Sequence, residues 1–93
     1  MSLQVAWTAK FKKDYKLAIK RGLNVELLDN AIRLLATGQP LPDEYNDHNL
    51  LGDWKGYREC HIQPDWLLIY RIEHGILVLS LQRTGTHSDL FKQ

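Results

Sequence analysis

The feature that most constrains the fold is an apolar segment followed by a turn signal and a second apolar segment. Residues 66–73 (WLLIYRIE) are almost continuously apolar, which is typical of a central strand. His74-Gly75 predicts a tight hairpin turn, and residues 76–84 are predicted to form the returning strand. A further strand is predicted over residues 54–62 and is closed by Gln63-Pro64-Asp65. These segments predict an antiparallel sheet in the C-terminal half.

The N-terminal half predicts one strand and two helices. Residues 3–7 (LQVAW) alternate weakly between apolar and polar and predict a first strand. Thr8 is the expected N-cap of a helix that runs to Arg21, because apolar residues recur there at helical spacing. Asn24 is the expected N-cap of a second helix, which Thr37-Gly38 ends.

The element order βααβββ predicts an α+β fold. We expect a mostly antiparallel four-stranded sheet with the two-helix hairpin packed on one face. The 93 residues are enough for a single domain over residues 1–93, and the 44% apolar content suffices for its core. Residues 41–53 (LPDEYNDHNLLGD) are polar and rich in turn residues, and we expect a long loop there.

Cysteine content and hydropathy predict a soluble, cytoplasmic protein. Cys60 is the only cysteine, so the chain cannot form an internal disulfide, and a reducing compartment is the simplest one. The N-terminus has no apolar targeting segment, and no apolar run approaches the length of a membrane span.

Charge is segregated along the chain although the net charge is only +1. Residues 1–25 carry six Lys and Arg residues against one acid, whereas residues 26–54 carry one Arg against six acids. A basic block followed by an acidic block is typical of a protein that meets a polyanion on one side. An ordinary solvated helix face explains the lysines equally well.

The predicted hairpin brings two chemically distinctive residues together. A two-residue turn at His74-Gly75 would place Trp66 opposite Arg83, which puts a guanidinium beside an indole at one end of the sheet. A two- or four-residue connection around Pro64 would add His61 to the same face, whereas a three-residue connection would place His61 on the other face.

The same end of the sheet should receive two further groups. Asp65 lies in the turn that precedes Trp66, and His87 follows Arg83 by only four residues. We therefore expect the imidazoles, the carboxylate and the guanidinium to converge. Each residue alone has a simpler explanation: Arg83 could pair with an acid, Trp66 could be core, and Phe91 could be a lid on the core.

Histidines, a carboxylate and an arginine beside aromatic rings suit RNA cleavage. The 2′-hydroxyl must lose a proton and the 5′-oxygen must gain one, and histidine can do either near neutral pH. Arginine offers forked donors to phosphate oxygens, and aromatic rings can stack on unpaired bases. His74, in the opposite hairpin, is expected to be a turn residue only.

A zinc site is an alternative use of the same histidines and aspartate. Two observations weigh against it: the sequence has no short-spaced His pair of the HxxxH kind, and Arg83 nearby would repel a dication. We therefore predict no metal ligand and no cofactor. A Cys60–His61 nucleophile pair is disfavoured because neighbours along a strand point to opposite faces.

The C-terminal half resembles a known family. The segments YNDHNLLGDWKGYRECHIQPDWLLIYRIE and LQRTGTHSDLF are similar to the YafQ family of bacterial toxins, within the RelE/ParE superfamily. The shared pattern runs from Asp47 to Trp66 and again from Arg83 to Phe91. The helical first half agrees with the family in layout more than in detail. The resemblance implies a fold similar to RelE and to small microbial ribonucleases.

The resemblance implies the toxin of a type II toxin–antitoxin pair, a ribosome-dependent, metal-independent endoribonuclease that cuts messenger RNA. Its cognate antitoxin, messenger RNA and the ribosomal A site are the implied partners, and the basic first helix would face ribosomal RNA. The alternative is a non-catalytic ParE-like toxin that grips a protein target such as gyrase. ParE-type members generally lack this set of histidines, which disfavours that alternative.

Roles of individual residues are also implied by the resemblance. The expected acid–base group is His48, His61, Asp65 and His87, with His87 as the general acid for the leaving oxygen. Arg83 would stabilise the scissile phosphate. The residues expected to contact RNA are Trp66, Phe91, Lys55 and Arg58. Glu59 stands where a relative carries Asp, and no role is assigned to it.

Overall fold

The fold is given by a computed structural model that describes residues 2–91. Five strands and three helices follow one another along the chain. In chain order they are β1 (Gln4–Trp7), α1 (Ala9–Lys20), α2 (Val25–Ala36), β2 (His48–Asn49), β3 (Arg58–Gln63), β4 (Trp66–Glu73), β5 (Val78–Gly85) and α3 (His87–Leu90). Two single turns of 3-10 helix, Asp43–Tyr45 and Gly52–Trp54, flank β2.

The strands form one sheet in the order β1-β5-β4-β3-β2. β1 runs parallel to β5 and every other neighbouring pair is antiparallel, so the predicted α+β class and mostly antiparallel sheet are confirmed. The prediction of four strands is wrong by one. The segment predicted as a loop, 41–53, contains the two-residue β2, which is too short to show any periodicity in the sequence.

The two long helices begin where the sequence predicts. The side chain of Thr8 accepts a hydrogen bond from the backbone N–H of Phe11, and that of Asn24 accepts one from Glu26. Both are N-cap contacts that satisfy donors at a helix start. Each of these helices has 12 residues, and no helix within residues 2–91 is long and apolar enough to span a bilayer.

The helix hairpin covers one face of the sheet and makes the main core. Phe11 and Leu28, both fully buried, pack with the inward side chains of the central strands. The strand residues in that core are Cys60, Trp66, Leu68, Tyr70, Leu79 and Leu81. The prediction that both helices share one face is confirmed.

The second face of the sheet has its own, smaller apolar cluster. Leu67 and Ile69 of β4 are fully buried there, together with Leu90 of α3. Side chains from residues 50–57 and from Phe91 close over them. Irregular chain and one short helical turn, rather than a long helix, therefore cover this face.

The predicted register of β4 with β5 is wrong. Residues 74–77 form a four-residue loop in which Leu77 adopts a φ of +54°, a conformation unusual for leucine that no local signal predicted. Tyr70 pairs with Leu81, and a bulge then sets Ile69 opposite Arg83. Trp66 is therefore not the cross-strand partner of Arg83.

The predicted register of β3 with β4 is also wrong. β3 starts at Arg58 rather than at residue 54, since residues 52–54 form a helical turn. The Pro64-Asp65 turn has two residues, but an irregularity between His61 and Gln63 sets His61 opposite Leu67. Because side chains alternate along a strand, His61 shares the face of Leu67 and not that of Trp66.

Trp66 is anchored in the core by a buried hydroxyl. Its indole Nε1 donates to Thr84 Oγ1 at 2.9 Å, and the same hydroxyl donates to the backbone carbonyl of Leu67 at 2.7 Å. Trp66 and Thr84 are both only 3% exposed. This chain of two hydrogen bonds ties the start of β4 to the end of β5.

We expect Thr84→Val to lower the free energy of unfolding by about 1–3 kcal/mol, because it leaves the buried Trp66 N–H without an acceptor. Thr84→Ser keeps the hydroxyl and should cost less. Urea denaturation of the two variants measures the difference. Equal stabilities of the Val and Ser variants would contradict a role for the hydroxyl.

Candidate active site

Three histidines from separate parts of the chain meet on the second face of the sheet. His48 lies in β2, His61 in β3, and His87 opens α3. The ring centroids of His48 and His61 are 6.1 Å apart, and those of His61 and His87 are 5.9 Å apart. His61 is thus the middle member of a row of imidazoles that is open to solvent on one side.

Glu59 is the site residue that the sequence prediction left out. Its carboxylate is buried, and its Oε1 lies 3.2 Å from Nε2 of His61 and 3.6 Å from Nε2 of His48. Two signals could have found it. Glu59 and His61 are two apart on one strand and so share a face, and Glu59 is the cross-strand partner of His48.

Asp65 fixes His87 through two hydrogen bonds. Oδ1 of Asp65 accepts the backbone N–H of His87 at 3.0 Å and contacts its ring Nδ1 at 2.6 Å. The backbone hydrogen bond, followed by the ring hydrogen bond, lowers the pKa of the Asp65 carboxyl below its usual value. The carboxylate is therefore ionised at neutral pH, Nδ1 carries the proton, and Nε2 is left for proton transfer.

His48 is fixed by a local turn and a polar network. Its Nδ1 donates to the carbonyl of Asn46 at 2.7 Å. The neighbouring Asp47 accepts two hydrogen bonds from the guanidinium of Arg58, at 3.3 and 3.1 Å, and one from the hydroxyl of Tyr70. Burial is the main reason that the pKa of the Tyr70 hydroxyl is raised.

Arg58, predicted to bind RNA, is engaged in that network. Besides Asp47, its guanidinium donates to the side-chain oxygen of Asn49 at 2.7 Å and to the Tyr70 hydroxyl at 3.3 Å. All three nitrogens of the guanidinium therefore already have partners within the protein, and no contact in the structure tests the predicted binding of RNA. Arg58 holds the segment that carries His48.

Arg83 and Trp66 do not belong to the row of histidines. Asp14 of α1 accepts from Arg83 at 2.6 and 3.2 Å and from the backbone N–H of Thr84 at 3.1 Å. The pairing of β1 with β5 ends at Leu81, and beyond that point Asp14, rather than β1, accepts a backbone hydrogen bond from the edge of β5. Trp66 is buried in the core, and the prediction that it stacks on a base is wrong.

Phe91 and Lys55 keep positions compatible with RNA contact. Phe91 is half-buried on the second-face cluster, with its ring centroid 6.5 Å from that of His87 and 6.4 Å from that of Trp54. Lys55 is exposed at the end of the turn Gly52–Trp54. No contact in the structure tests either prediction.

His48, Glu59 and His61 also have the geometry of a metal site. One ligand atom from each lies within 4.8 Å of the others. The sequence argument against a metal considered short spacing along a helix and repulsion by Arg83. Neither objection applies to this cluster. The three residues come together from paired strands, so no short spacing along the sequence is needed, and the charge of Arg83 is neutralised by Asp14.

Comparison with known proteins places the chain among toxins. A family model described as bacterial toxin of type II toxin-antitoxin system, YafQ, matches residues 3–92. The mRNA interferase toxin YafQ of Escherichia coli strain K12 is 43% identical over 88 residues, which are 94% of this chain and 94% of that protein.

Two solved structures show the same fold. One is the toxin chain of the E. coli DinJ-YafQ toxin-antitoxin complex, at 41% identity and a TM-score of 0.89, covering 98% of this chain and 99% of that one. The other is a metal-bound toxin from Helicobacter pylori, at 45% identity and a TM-score of 0.90, covering 96% of this chain and 99% of that one.

We expect Asp65→Ala to release His87 from the Nδ1–H form, because the ring loses its only hydrogen-bond acceptor among residues 2–91. Nitrogen-15 NMR of the imidazole should show the proton shared between Nδ1 and Nε2, and the His87 amide should exchange faster. In the unaltered protein the contact should persist at neutral pH and be lost only as the pH falls below the usual titration range of an aspartate, because the folded pKa of Asp65 is lowered. Asp53→Ala, at an exposed carboxylate, is the matched control, and a Nδ1–H signal that survives Asp65→Ala would contradict the assignment.

Proposed function

The chain belongs to the YafQ family of toxins of bacterial type II toxin–antitoxin systems, and on that premise we propose that it is an endoribonuclease that cleaves messenger RNA. The observation that carries the proposal is the row of His48, His61 and His87, in which every imidazole has a carboxylate or carbonyl partner. Such partners orient the rings and fix which nitrogen carries the proton.

Cleavage needs one proton acceptor and one proton donor on either side of a phosphodiester. We assign to His61, beside Glu59, the removal of the proton of the 2′-hydroxyl, whose oxygen then attacks phosphorus. The bond from phosphorus to the 5′-oxygen breaks, and Nε2 of protonated His87 supplies the proton that this oxygen gains. His48 shares Glu59 with His61 and is the second candidate for the base. Each proton-transfer role accounts for about 10²–10⁴ in rate.

The arginines have a different role in this proposal from the one that the sequence predicted. Arg83 and Arg58 are each held by an aspartate, so we assign both to the geometry of the fold. Positive charge near the phosphate would come from the protonated imidazoles. Phe91 and Lys55 are the residues that we retain for RNA contact.

The partners follow from the family and from the distribution of charge. We propose that a cognate antitoxin binds this chain, as DinJ does in the E. coli complex. We also propose that cleavage occurs on the ribosome in the cytoplasm. Supporting this, α1 presents five exposed lysines that suit ribosomal RNA, namely Lys10, Lys12, Lys13, Lys16 and Lys20.

We expect His87→Ala to reduce cleavage of a message by about 10²–10⁴-fold, because the leaving oxygen loses its proton donor. The assay uses a defined message with and without ribosomes, in the presence of a chelator, and circular dichroism confirms folding. His74→Ala, in the exposed loop between β4 and β5, is the control and should cleave normally.

Three results would count against the proposal. Undiminished cleavage by a folded His87→Ala protein would remove the catalytic assignment. Equal cleavage without ribosomes would remove ribosome dependence. Growth arrest without any cleavage would favour a non-catalytic ParE-like toxin that binds a protein target.

A second property is favoured by the cluster of His48, Glu59 and His61. Two imidazoles and a carboxylate suit Cu²⁺ or Zn²⁺, with Cu²⁺ bound more tightly. We propose that such an ion binds this set and blocks cleavage, because a metal-bound imidazole is a much poorer proton acceptor than a free one. The Cys60 thiol is fully buried and offers no competing ligand.

We expect Cu²⁺ to inhibit cleavage and a chelator to restore it. Calorimetric titration should give one strong site, and Glu59→Gln should weaken it by about tenfold or more, because a charged ligand is lost. His74→Ala should leave the affinity unchanged. Equal Cu²⁺ affinity in the Glu59→Gln protein would show that the ion binds elsewhere.

A further inference from the structure

The helix that carries His87 is too short to be stable alone. α3 is a single turn of four residues, and an isolated turn does not offset the entropy of ordering its backbone. Two local contacts help: Thr86 and Asp89 form a reciprocal capping box, and Leu90 is buried on the second face. The capping box is local to residues 86–89, and Leu90 packs on the strand residues Leu67 and Ile69.

A third contact comes from a distant part of the sequence. Arg21, at the C-terminal end of α1, donates to Oδ2 and Oδ1 of Asp89 at 2.7 and 3.3 Å. This forked pair joins residues 68 positions apart. The hydrogen bond from Arg21 is the largest of the causes that lower the pKa of Asp89 to about 2.

Gly85 allows the side chain of Asp89 to lie close to the backbone at the end of β5. A Cβ atom at Gly85 would lie 3.0 Å from Oδ2 and 3.1 Å from Cβ of Asp89. Glycine at this position therefore lets Asp89 lie over the end of β5, where it reaches Thr86 and Arg21 together. Asp89 is thus fixed from three directions, by the Thr86 amide, the Thr86 hydroxyl and the Arg21 guanidinium.

We propose that Arg21 is a positioning residue for His87. By holding Asp89, Arg21 keeps α3 docked so that His87 stays on Asp65 and within 5.9 Å of His61 between ring centroids. The inference rests on the proposed acid–base role of His87. Its structural part, the docking of α3 by Arg21, can be measured without any cleavage.

Direct binding of RNA by Arg21 is the competing explanation. The Arg21 side chain is 42% exposed and lines a groove of about 260 Å³ with Ser88, Trp66 and Asp14. The two explanations separate kinetically. A residue that only binds substrate changes KM, whereas one that aligns the proton donor changes kcat.

The experiment compares four variants in the ribosome-dependent cleavage assay and in hydrogen exchange. They are Arg21→Ala, Arg21→Lys, Asp89→Asn and the double variant Arg21→Ala/Asp89→Asn. We expect Arg21→Ala to lower kcat by about 10- to 100-fold, the loss expected when a catalytic group is displaced by an ångström. Arg21→Lys keeps the charge without the fork and should recover part of the loss. The double variant should be no worse than the poorer single variant, since both changes break the same Arg21–Asp89 pair.

Lys20→Ala is the matched charge control, because it removes the same charge one residue earlier on α1. It should change KM without lowering kcat. In hydrogen exchange, Arg21→Ala should speed the amides of His87 and Leu90 and leave those of β4 unchanged. Urea denaturation reports whether each variant is folded.

The outcomes are distinguishable. An Arg21→Ala protein with normal kcat, whose only change is a KM effect like that of Lys20→Ala, overturns the positioning role, and so does unchanged exchange at His87. Additive losses in the double variant overturn it too. An unaltered protein that cuts no message overturns the proposed function instead, while the exchange data still decide whether Arg21 docks α3.

Discussion

The irregularity between His61 and Gln63 decides which face of the sheet carries the chemistry. A regular ladder closed by the two-residue turn Pro64-Asp65 would set His61 opposite Leu68, beneath the helix hairpin, and would turn Cys60 outward. The bulge shifts the pairing by one, so that Cys60 lies opposite Leu68 in the core and His61 lies opposite Leu67. A one-residue shift exchanges the two faces of a strand. Burial of the apolar residues and exposure of the imidazole are thus achieved by the same local feature.

The site is also inseparable from the second apolar cluster. Leu67 and Ile69 must be covered, and within residues 2–91 no long helix lies on that side of the sheet. Residues 50–57 and α3 cover these side chains. The first segment follows shortly after His48, and α3 carries His87. Because α3 depends on tertiary contacts rather than on its own helical propensity, its opening should cost less free energy than global unfolding. The alignment of the histidines therefore depends on the tertiary contacts that hold residues 50–57 and α3 against the sheet.

Local signals in the sequence predicted the local structure well, and long-range geometry less well. The caps Thr8 and Asn24 and the bounds of β4 are set by neighbouring residues, and these predictions are confirmed. The predicted two-residue turn between β4 and β5 was wrong, because the actual four-residue loop depends on Leu77 in a positive-φ conformation. Trp66 and Arg83 were wrongly paired for the same reason. Glu59 could have been found from its alternation with His61, whereas a two-residue strand such as β2 has no pattern to detect.

Three arginines and the lysines of α1 have different structural roles. Each of Arg21, Arg58 and Arg83 is forked onto an aspartate, and each pair joins segments far apart in the chain or holds a histidine-bearing segment in place. Within residues 2–91 no lysine takes part in an ion pair, and the lysines of α1 are exposed. Arginine suits the first task because its planar donors fix geometry, while a lysine charge on a flexible stem attracts phosphates without fixing their position. Glu59 and Asp65 would repel RNA if they were free, but each is matched by an imidazole that becomes cationic when protonated. The acidic groups needed to orient the histidines can therefore coexist with a polyanionic substrate.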